Sequence, residues 1–446
     1  MRILATETKN EIEKTVTCEG WINSRRDHGK LIFFDLRDRS GLLQIVSKDS
    51  NLDIRPEDVV RVRGKVVKRP DNLVNPNLET GSIELQAENV EILSKAAELP
   101  FDIGGKDLDL QLPTLLDFRA LTLRHPKVKS IFKVQEAIME GFRRAAQALE
   151  ATEVFVPTIS YSSTEGGAEI FKIDYYGHKA FMIQSPQLYK QMMIPIFERV
   201  YLISHAYRAE PSVTTRHLSE SIQLDLELGF LEFEELLDSL ERIGSETLKY
   251  ASQKCSDILK EFNVDPPKVG GKIPRLKMRE AQEIIYKTTG RDNRKEPDLT
   301  PEDEKDISAW ALKEHGSDFV TITHYPTKKR AFYSHPDPKN PEFSLSYDLI
   351  FKGVEILSGS KRIHDYDKLV EVIVERGMNP KDFSMYLQAF KYGMPPHGGF
   401  SFGLERLTMK ILDLVNVREA SLFPRDMNRI DILLSSQPDA KKKTSK

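Results

Sequence analysis

Residues 206–230 read AYRAEPSVTTRHLSESIQLDLELGF. From Ile222 onward the stretch alternates strictly: Ile222, Leu224, Leu226 and Leu228 fall on one face of a strand, and Gln223, Asp225 and Glu227 on the other. Just before it stand Arg208, Glu210, Arg216 and His217, so a turn dense in cations feeds an acidic strand face. A surface strand accounts for the alternation. It does not account for cations gathered beside that face.

Around this hairpin lie 446 residues with 65 Lys+Arg against 68 Asp+Glu, a formal net charge of −3. Such a length predicts two or three domains with ample core. The balanced charge argues against a polybasic coat for nucleic acid or a membrane surface, while leaving room for a local basic patch. No apolar run is long enough for a membrane span, and MRILATETKNE carries no signal-like stretch. Cys18 and Cys255 lie far apart without metal-ligand spacing, which fits buried thiols in a reducing cytoplasm.

Residues 1–98 read as five short strands, TVTCEGWI, LIFFDLRD, LLQIV, VVRVRGKVV and SIELQAENVEIL, punctuated by Gly, Pro, Asn and Asp as in a small β-barrel. Strand phase puts Ile32, Phe34, Leu36, Leu43, Ile45, Val60, Val62 and Val66 inside. Phe33, Gln44, Arg61, Arg63 and Lys65 then point out, an aromatic, an amide and a row of cations on one surface, suited to unpaired bases and their phosphates. Arg25 and Arg26 add cations from the SRRDHG segment. A hinge linker with Gly104, Gly105 and Pro113 is expected over 99–125. Beyond it VKSIFKVQEAIMEGFRRAAQALE is an amphipathic helix, and mixed strands and helices run on to about 434 with a helical insertion near 232–263. The charged, low-apolar segment 290–306 carries no motif, and 435–446 reads as a disordered basic tail.

Three further segments carry chemistry. In AFMIQSPQLYKQMM (180–193) a strand ends at Gln184, Ser185 is a candidate N-cap, and Gln187, Lys190 and Gln191 share a helix face. In SLSYDLIFKGVEILSGSKRIHDY (344–366), Asp348 and Glu355 are two carboxylates able to hold Mg²⁺ together with phosphate oxygens, and Arg362 follows a Ser-Gly-Ser turn with a planar fork suited to a carboxylate. In GMPPHGGFSFGLERLTMKIL (393–412) a glycine-rich strand enters a helix with Arg406 in its first turn, placed to stack on a base or meet a phosphate.

Taken together these segments resemble the class II aminoacyl-tRNA synthetases. Arg208 sits as in their second motif, Gly399, Gly403 and Arg406 as in the third, and the 127–149 helix running into EVFVPTIS as in the first. STEGGAEIF, QSPQLYKQ, RAE…RHLSE, RIHDYD and YGMPPHGGF are similar to the signatures of archaeal-type aspartyl-tRNA synthetases, members of subclass IIb. The resemblance implies an α+β chain: a five-stranded OB-type anticodon-binding barrel, then a catalytic domain over 126–434 built on an antiparallel sheet flanked by helices. It implies ATP-dependent activation of L-aspartate and transfer to tRNA(Asp), in some members also to tRNA(Asn), by a cytoplasmic homodimer.

By the same resemblance Arg208 meets the α-phosphate of ATP, Arg216 and His217 the γ-phosphate, Glu210 the adenine, and Arg406 with Gly403 completes the nucleotide site. Asp348, Glu355 and Ser358 would hold Mg²⁺. Asp225 and Glu165 would hold the amino acid's ammonium group. Lys190 and Arg362 offer two cations to the aspartate side chain, with Ser185, Gln187 and Ser358 completing the aspartate site. Asparaginyl relatives lack a lysine at the Lys190 position, which favours aspartate. An asparagine–tRNA ligase and a non-charging tRNA-binding relative remain the alternatives.

On the tRNA side the pattern places Phe33 on the central anticodon base, Gln44 at its edge and Arg25 nearby, and it sets tRNA range partly at the positions of Asn23 and Glu79. Three departures stand out. Ser221 and Ile222 occupy the place of an adenine-stacking aromatic, Tyr207 replaces Phe, and the chain continues about twenty residues past LFPRD.

Overall fold

The computed structural model describes residues 2–105, 107–161, 169–211, 214–269 and 272–436, with the side chain of residue 436 left aside. Two compact units divide at Leu110 and Gln111.

The first unit is a closed barrel of β1 (Thr15–His28), β2 (Leu31–Arg37), β3 (Leu42–Ser47), β4 (Val59–Lys68) and β5 (Ile83–Ser94), paired in the order β1-β2-β3-β5-β4. Alternation builds it: Ile32, Phe34, Leu36, Leu43, Ile45, Val60, Val62 and Val66 are all buried in one core with Cys18. Burial pushes the Cys18 thiol up to about 12, so it stays protonated and inert.

The cation row does not share a surface with Phe33. Arg61, Arg63 and Lys65 stand on β4, which pairs with β1 and β5, whereas Phe33 stands on β2 between β1 and β3. Those cations also face carboxylates: Arg61 pairs with Glu19 and Glu91 at 2.7 and 2.8 Å, and Lys65 with Glu13 at 2.6 Å.

In the second unit the stretch expected to be a linker is helical from Leu112. Helices α1 (Leu112–Asp117) and α2 (Arg119–Thr122) precede α3 (Pro126–Gln147). Arg119 is buried and donates to the carbonyls of Glu419, Ser421 and Leu422 at 2.7–3.0 Å, which fastens α2 to the distant 419–422 segment. LFPRD itself is held by Arg418–Asp426 (2.6 Å), and past it the chain stays attached through an Arg429–Asp117 ion pair. The basic tail from 437 lies outside the described residues.

An eight-stranded sheet organises this unit. Its strands are β6 (Thr152–Glu153), β7 (Arg199–Tyr207), β8 (Glu220–Gly229), β9 (Arg275–Lys277), β10 (Phe319–Thr323), β11 (Ser346–Phe351), β12 (Val354–Lys361) and β13 (His397–Gly403), ordered β9-β10-β11-β12-β13-β8-β7-β6. The six central strands are antiparallel; β9 and β6 add parallel edges. Helix α4 (Gln187–Met192) precedes β7, α5 (Phe233–Lys254) follows β8, α6 (Pro301–His315) precedes β10, and α7 (Leu404–Ile411) leaves β13.

The apolar half of the β8 alternation buries Leu224, Leu226 and Leu228 against α3 and α5, in one core with Phe142, Leu240, Phe400 and Phe402. Burying a Leu side chain of this kind stabilises by about 1.5–3 kcal/mol. The opposite face is therefore free to be polar. Ser358–Gly359–Ser360 lies inside β12 and is not a turn. Gly359 is there for close approach, because a Cβ on it would stand 2.6 Å from both the Gly399 carbonyl and the Tyr347 ring.

Candidate active site

Strand register assembles the polar face. Asp348 on β11 is paired with Ser358 on β12, Ser358 with Ser401 on β13, and Ser401 with Asp225 on β8. The next row runs Ser346, Ser360, Gly399 and Glu227. Gly399 lacks a Cβ because one would collide with the Glu227 carboxylate and the Leu226 carbonyl. The acidic face of β8 is thus the inner end of a polar floor.

At one end of this floor Arg208, Glu210, Arg216, His217, Glu355, Gly403 and Arg406, the set expected at ATP, line a single cleft together with Ser358. Arg216 donates to Glu304 (2.9 Å) and to the Gly353 carbonyl (3.2 Å). Arg406 donates to the carbonyls of Glu355 (3.2 Å) and Arg216 (3.4 Å). His217 stands 3.4 Å from Glu210, and burial lowers its pKa, which favours the neutral ring. Among the described residues lining the cleft none is Phe, Tyr or Trp, in line with Ser221 and Ile222 at the aromatic's place.

Asp348 bonds through Oδ2 to Arg330 (2.5 Å), whose Nη1 donates to Ser358 Oγ (3.1 Å) and whose guanidinium covers the Tyr325 ring at 3.8 Å. Oδ1 of Asp348 is buried with no hydrogen-bond partner among the described residues. Burial, and then the nearby Asp348 charge, push the Glu355 carboxyl up to about 7. An orphaned carboxylate oxygen, a second carboxylate whose proton is loosely held near neutrality, and a hydroxyl form an oxygen-only donor set. That fits a hard divalent cation completing its shell with phosphate oxygens and water. Groups of three or more His, Cys, Asp or Glu in metal-binding array are absent among the described residues, so the protein's share of such a shell is small.

Of the residues predicted for aspartate, Gln187, Lys190, Asp225 and Arg362 are buried and Ser185 is half-buried, and none of these five lines the cleft. Ser185 does not cap α4: Pro186 is the N-cap, and Ser185 Oγ accepts from the Gln187 N–H at 3.3 Å. The polar face of α4 is no surface, since Gln187, Lys190 and Gln191 are all buried. Lys190, at 0 % exposure, places Nζ 2.9 Å from Asp225 and 3.3 Å from Glu227, with the Phe400 carbonyl at 3.3 Å. Arg362 grips Glu227 with Nε and Nη2 at 2.9 and 3.2 Å, and also reaches Gln187 (3.0 Å) and Ser360 (2.7 Å). Two cations and two carboxylates thus form a closed, neutral cluster. Burial raises the Asp225 pKa against the pull of Lys190. Glu227 falls to about 2, because the Arg362 and Lys190 charges outweigh its burial. Asp225 Oδ2 has no hydrogen-bond partner among the described residues. Glu165, the other ammonium candidate, lies outside the described residues.

Beside the cluster runs a neutral relay. Tyr386 O–H donates to Gln191 (3.0 Å), Gln191 Nε2 donates to His397 Nε2 (3.0 Å), and His397 Nδ1 donates to the Pro395 carbonyl (2.9 Å). Burial holds His397 down at about 4, the neutral form this chain of donors requires.

In the barrel Phe33 is half-buried, edge-on to His28 at 5.4 Å. Gln44 is not exposed: it is buried between Glu84 (3.1 Å) and Arg69, which fold over the outer face of β3. Arg25 is tied to Asp27 (2.9 Å) and the Ile54 carbonyl (2.7 Å). Asn23 sits at a bulge and accepts from Arg37 (2.9 Å), and Glu79 pairs with Lys9 at 2.6 Å on the surface. Sequence reasoning missed the parts played by Glu227 and Glu304, whose arginine partners are remote in the chain, and by Arg330.

Residues 111–427 match the family described as tRNA synthetases class II (D, K and N). The chain belongs to that family. Residues 16–93 match the OB-fold nucleic acid binding domain. Among its relatives, the aspartate–tRNA(Asp/Asn) ligase of Thermus thermophilus is 41 % identical, with 96 % of this chain and all of that one covered. The aspartate–tRNA(Asp) ligase of Pyrococcus horikoshii is 38 % identical, again over 96 % of this chain and all of that one. Among solved structures, asparaginyl-tRNA synthetase of Pyrococcus horikoshii with asparaginyl-adenylate superposes with a TM-score of 0.86 at 30 % identity, covering 96 % of this chain and 99 % of that one. Aspartyl tRNA synthetase of Entamoeba histolytica gives 0.81 at 27 % identity, over 95 % and 90 %.

Proposed function

We propose that this class II synthetase is an aspartate–tRNA ligase: it activates L-aspartate with ATP and passes the aspartyl group to tRNA. The observation that carries the choice of amino acid is the buried cation pair, Lys190 and Arg362, set against Asp225 and Glu227. An aspartate side chain entering there brings the charge two cations recognise. An asparagine amide brings no charge to them, and a neutral hydrogen bond is worth about 0.5–1.5 kcal/mol where one made by a charged group is worth about 1.5–3. Relatives named as aspartate–tRNA ligases agree with this reading.

In the mechanism the α-carboxylate of aspartate attacks the α-phosphorus of ATP and pyrophosphate leaves. The 3′-terminal ribose hydroxyl of tRNA then attacks the aspartyl carbonyl and AMP leaves. No side-chain nucleophile is used. Arg208 neutralises the α-phosphate, Arg216 and His217 take the γ-phosphate, Glu210 contacts adenine, and Arg406 with Gly403 closes over the nucleotide. Asp348, Glu355 and Ser358 would hold Mg²⁺, which supplies charge neutralisation on the phosphates. Asp225, through its unpartnered oxygen, and Glu165 take the ammonium group; Lys190, Arg362, Gln187 and Ser185 surround the side chain. Phe33 and Arg25 meet the anticodon, Gln44 joins them once released from Glu84 and Arg69, and Asn23 and Glu79 tune tRNA range.

The active form is a homodimer in the cytoplasm. Phe155, Ile196, Phe197 and Phe230 are exposed large apolar residues next to the ends of β6, β7 and β8 at one edge of the sheet, and that edge is the self-association surface. The tRNA range includes tRNA(Asn), as in the dual name of the Thermus relative.

Two measurements test this reading. Aspartate-dependent ATP–pyrophosphate exchange is expected, and its absence in folded protein refutes the ligase. Charging of separate tRNA(Asp) and tRNA(Asn) transcripts is expected with both; charging of the first alone restricts the enzyme to tRNA(Asp).

A further inference from the structure

We infer that Glu304 is a positioning residue for ATP, presetting Arg216 and Glu355 as one unit before the nucleotide arrives. The inference rests on the ATP reading of the cleft given above. Glu304 stands near the start of α6, in a charged segment where the sequence carries no motif. Its Oε2 accepts from Arg216 Nη1 at 2.9 Å and from the Glu355 backbone N–H at 3.1 Å. Both side chains are largely buried, 13 % exposed for Glu304 and 17 % for Arg216.

Arg216 Nη2 donates in turn to the Gly353 carbonyl at 3.2 Å. With one donor from each terminal nitrogen tied, the guanidinium plane is fixed, and its remaining N–H groups are left for the cleft that Arg216 lines. The turn offering that carbonyl is held by the same helix: Gly353 N–H donates to Ser308 Oγ at 2.9 Å. Gly353 has a positive φ of 76°, and a Cβ there would press on Lys305 at 3.0 Å, so the turn lies directly on α6. Arg406 closes the group from the other side, donating to the backbone carbonyls of Glu355 and Arg216.

A carboxylate beside a triphosphate site repels the ligand, so attraction cannot be its role. What it offers is order. A free arginine loses rotamer entropy when it grips a phosphate, and one already held loses less. Glutamine in place of Glu304 keeps an acceptor for the Glu355 N–H and loses the charged hold on Arg216.

The test compares wild type, E304Q, R216A and the double variant as full chains in aspartate-dependent ATP–pyrophosphate exchange, with AMP as an inhibitor lacking the outer phosphates. E304Q is expected to raise the ATP KM roughly tenfold, with kcat, aspartate KM and AMP inhibition within about twofold of wild type. The double variant is expected to be no worse than R216A. An ATP KM for E304Q that is unchanged or lower overturns the inference, and so does a parallel loss of ATP, AMP and aspartate affinity, which marks mere scaffolding. If E304Q melts before assay, E304D decides the point: it keeps the charge at shorter reach and must raise the ATP KM selectively. A wild-type chain without exchange removes the functional reading, and the inference with it; an active wild type with an unaffected E304Q removes the inference alone.

Discussion

Replacing Lys190 with Met keeps the unbranched stem and deletes the charge. Nζ lies 2.9 Å from Asp225 and 3.3 Å from Glu227. At an effective dielectric of about 20, each contact is worth roughly 5–6 kcal/mol of gross attraction. Most of that offsets the desolvation of the ions, and removing one partner of a buried ion pair typically costs about 3–5 kcal/mol. The cluster passes from neutral to a net charge of −1 while the substrate's carboxylate still has to enter. The pair-breaking figure is a cost to folding; the charged hydrogen bond lost to the substrate, about 1.5–3 kcal/mol, corresponds to a ten- to a hundredfold loss, in round figures, in kcat/KM for aspartate in the exchange assay. Asparagine never used the charge, so the preference for aspartate over asparagine should shrink in step. Thermal melting and circular dichroism establish that the variant is folded. Folded K190M with an unchanged kcat/KM for aspartate would refute the assignment of Lys190 to specificity.

Phe33→Ala should lower tRNA charging by roughly ten- to a hundredfold, the worth of one base–aromatic stack, and leave pyrophosphate exchange untouched; equal losses in both assays would contradict a role confined to tRNA. Gly359→Ala should destabilise the catalytic unit by about 2 kcal/mol or more, read as a lower urea midpoint, because the added methyl meets a backbone carbonyl and a buried ring at 2.6 Å. His397, held at about 4 against an ordinary 6.5, contributes stability that is complete above pH 6.5 and is lost as pH falls toward 4. His397→Gln should flatten the melting temperature across that window, and a slope equal to wild type would count against the neutral relay.

The barrel was legible because one face of each strand meets a single apolar core, and period-two alternation reports that directly. The same pattern misled wherever both faces of a strand are buried. Gln223, Asp225 and Glu227 mark a polar face, but alternation alone does not say that the last two are buried, and Gln44 points outward only to be covered by Arg69 and Glu84. Ser358–Gly359–Ser360 suggested a turn because glycine usually marks one, whereas here it admits a neighbouring strand. Gly104, Gly105 and Pro113 suggested a linker, but a buried Arg119 anchors the second half of that stretch some 300 residues away. The residues that share the cleft could be singled out because each sits in a dense local motif. Their partners could not: Glu304 is 88 residues from Arg216 and Glu227 is 135 from Arg362, distances at which no local pattern speaks. Arg330 hides in a KKR run that reads as ordinary surface charge.

Asp348, Ser358, Ser401 and Asp225 are successive partners across four neighbouring strands. Three interstrand steps of about 4.8 Å put the carboxylate at one end roughly 14 Å from the carboxylate at the other. That span is a ruler cut in hydrogen-bonded backbone, and no loop can lengthen or shorten it. Exchanging a side chain on the ruler changes what is recognised at that mark. Inserting a residue into β12 ahead of Ser358 would turn that side chain to the opposite face and break the row there, so substitution is the open route to a new amino-acid preference and insertion is closed.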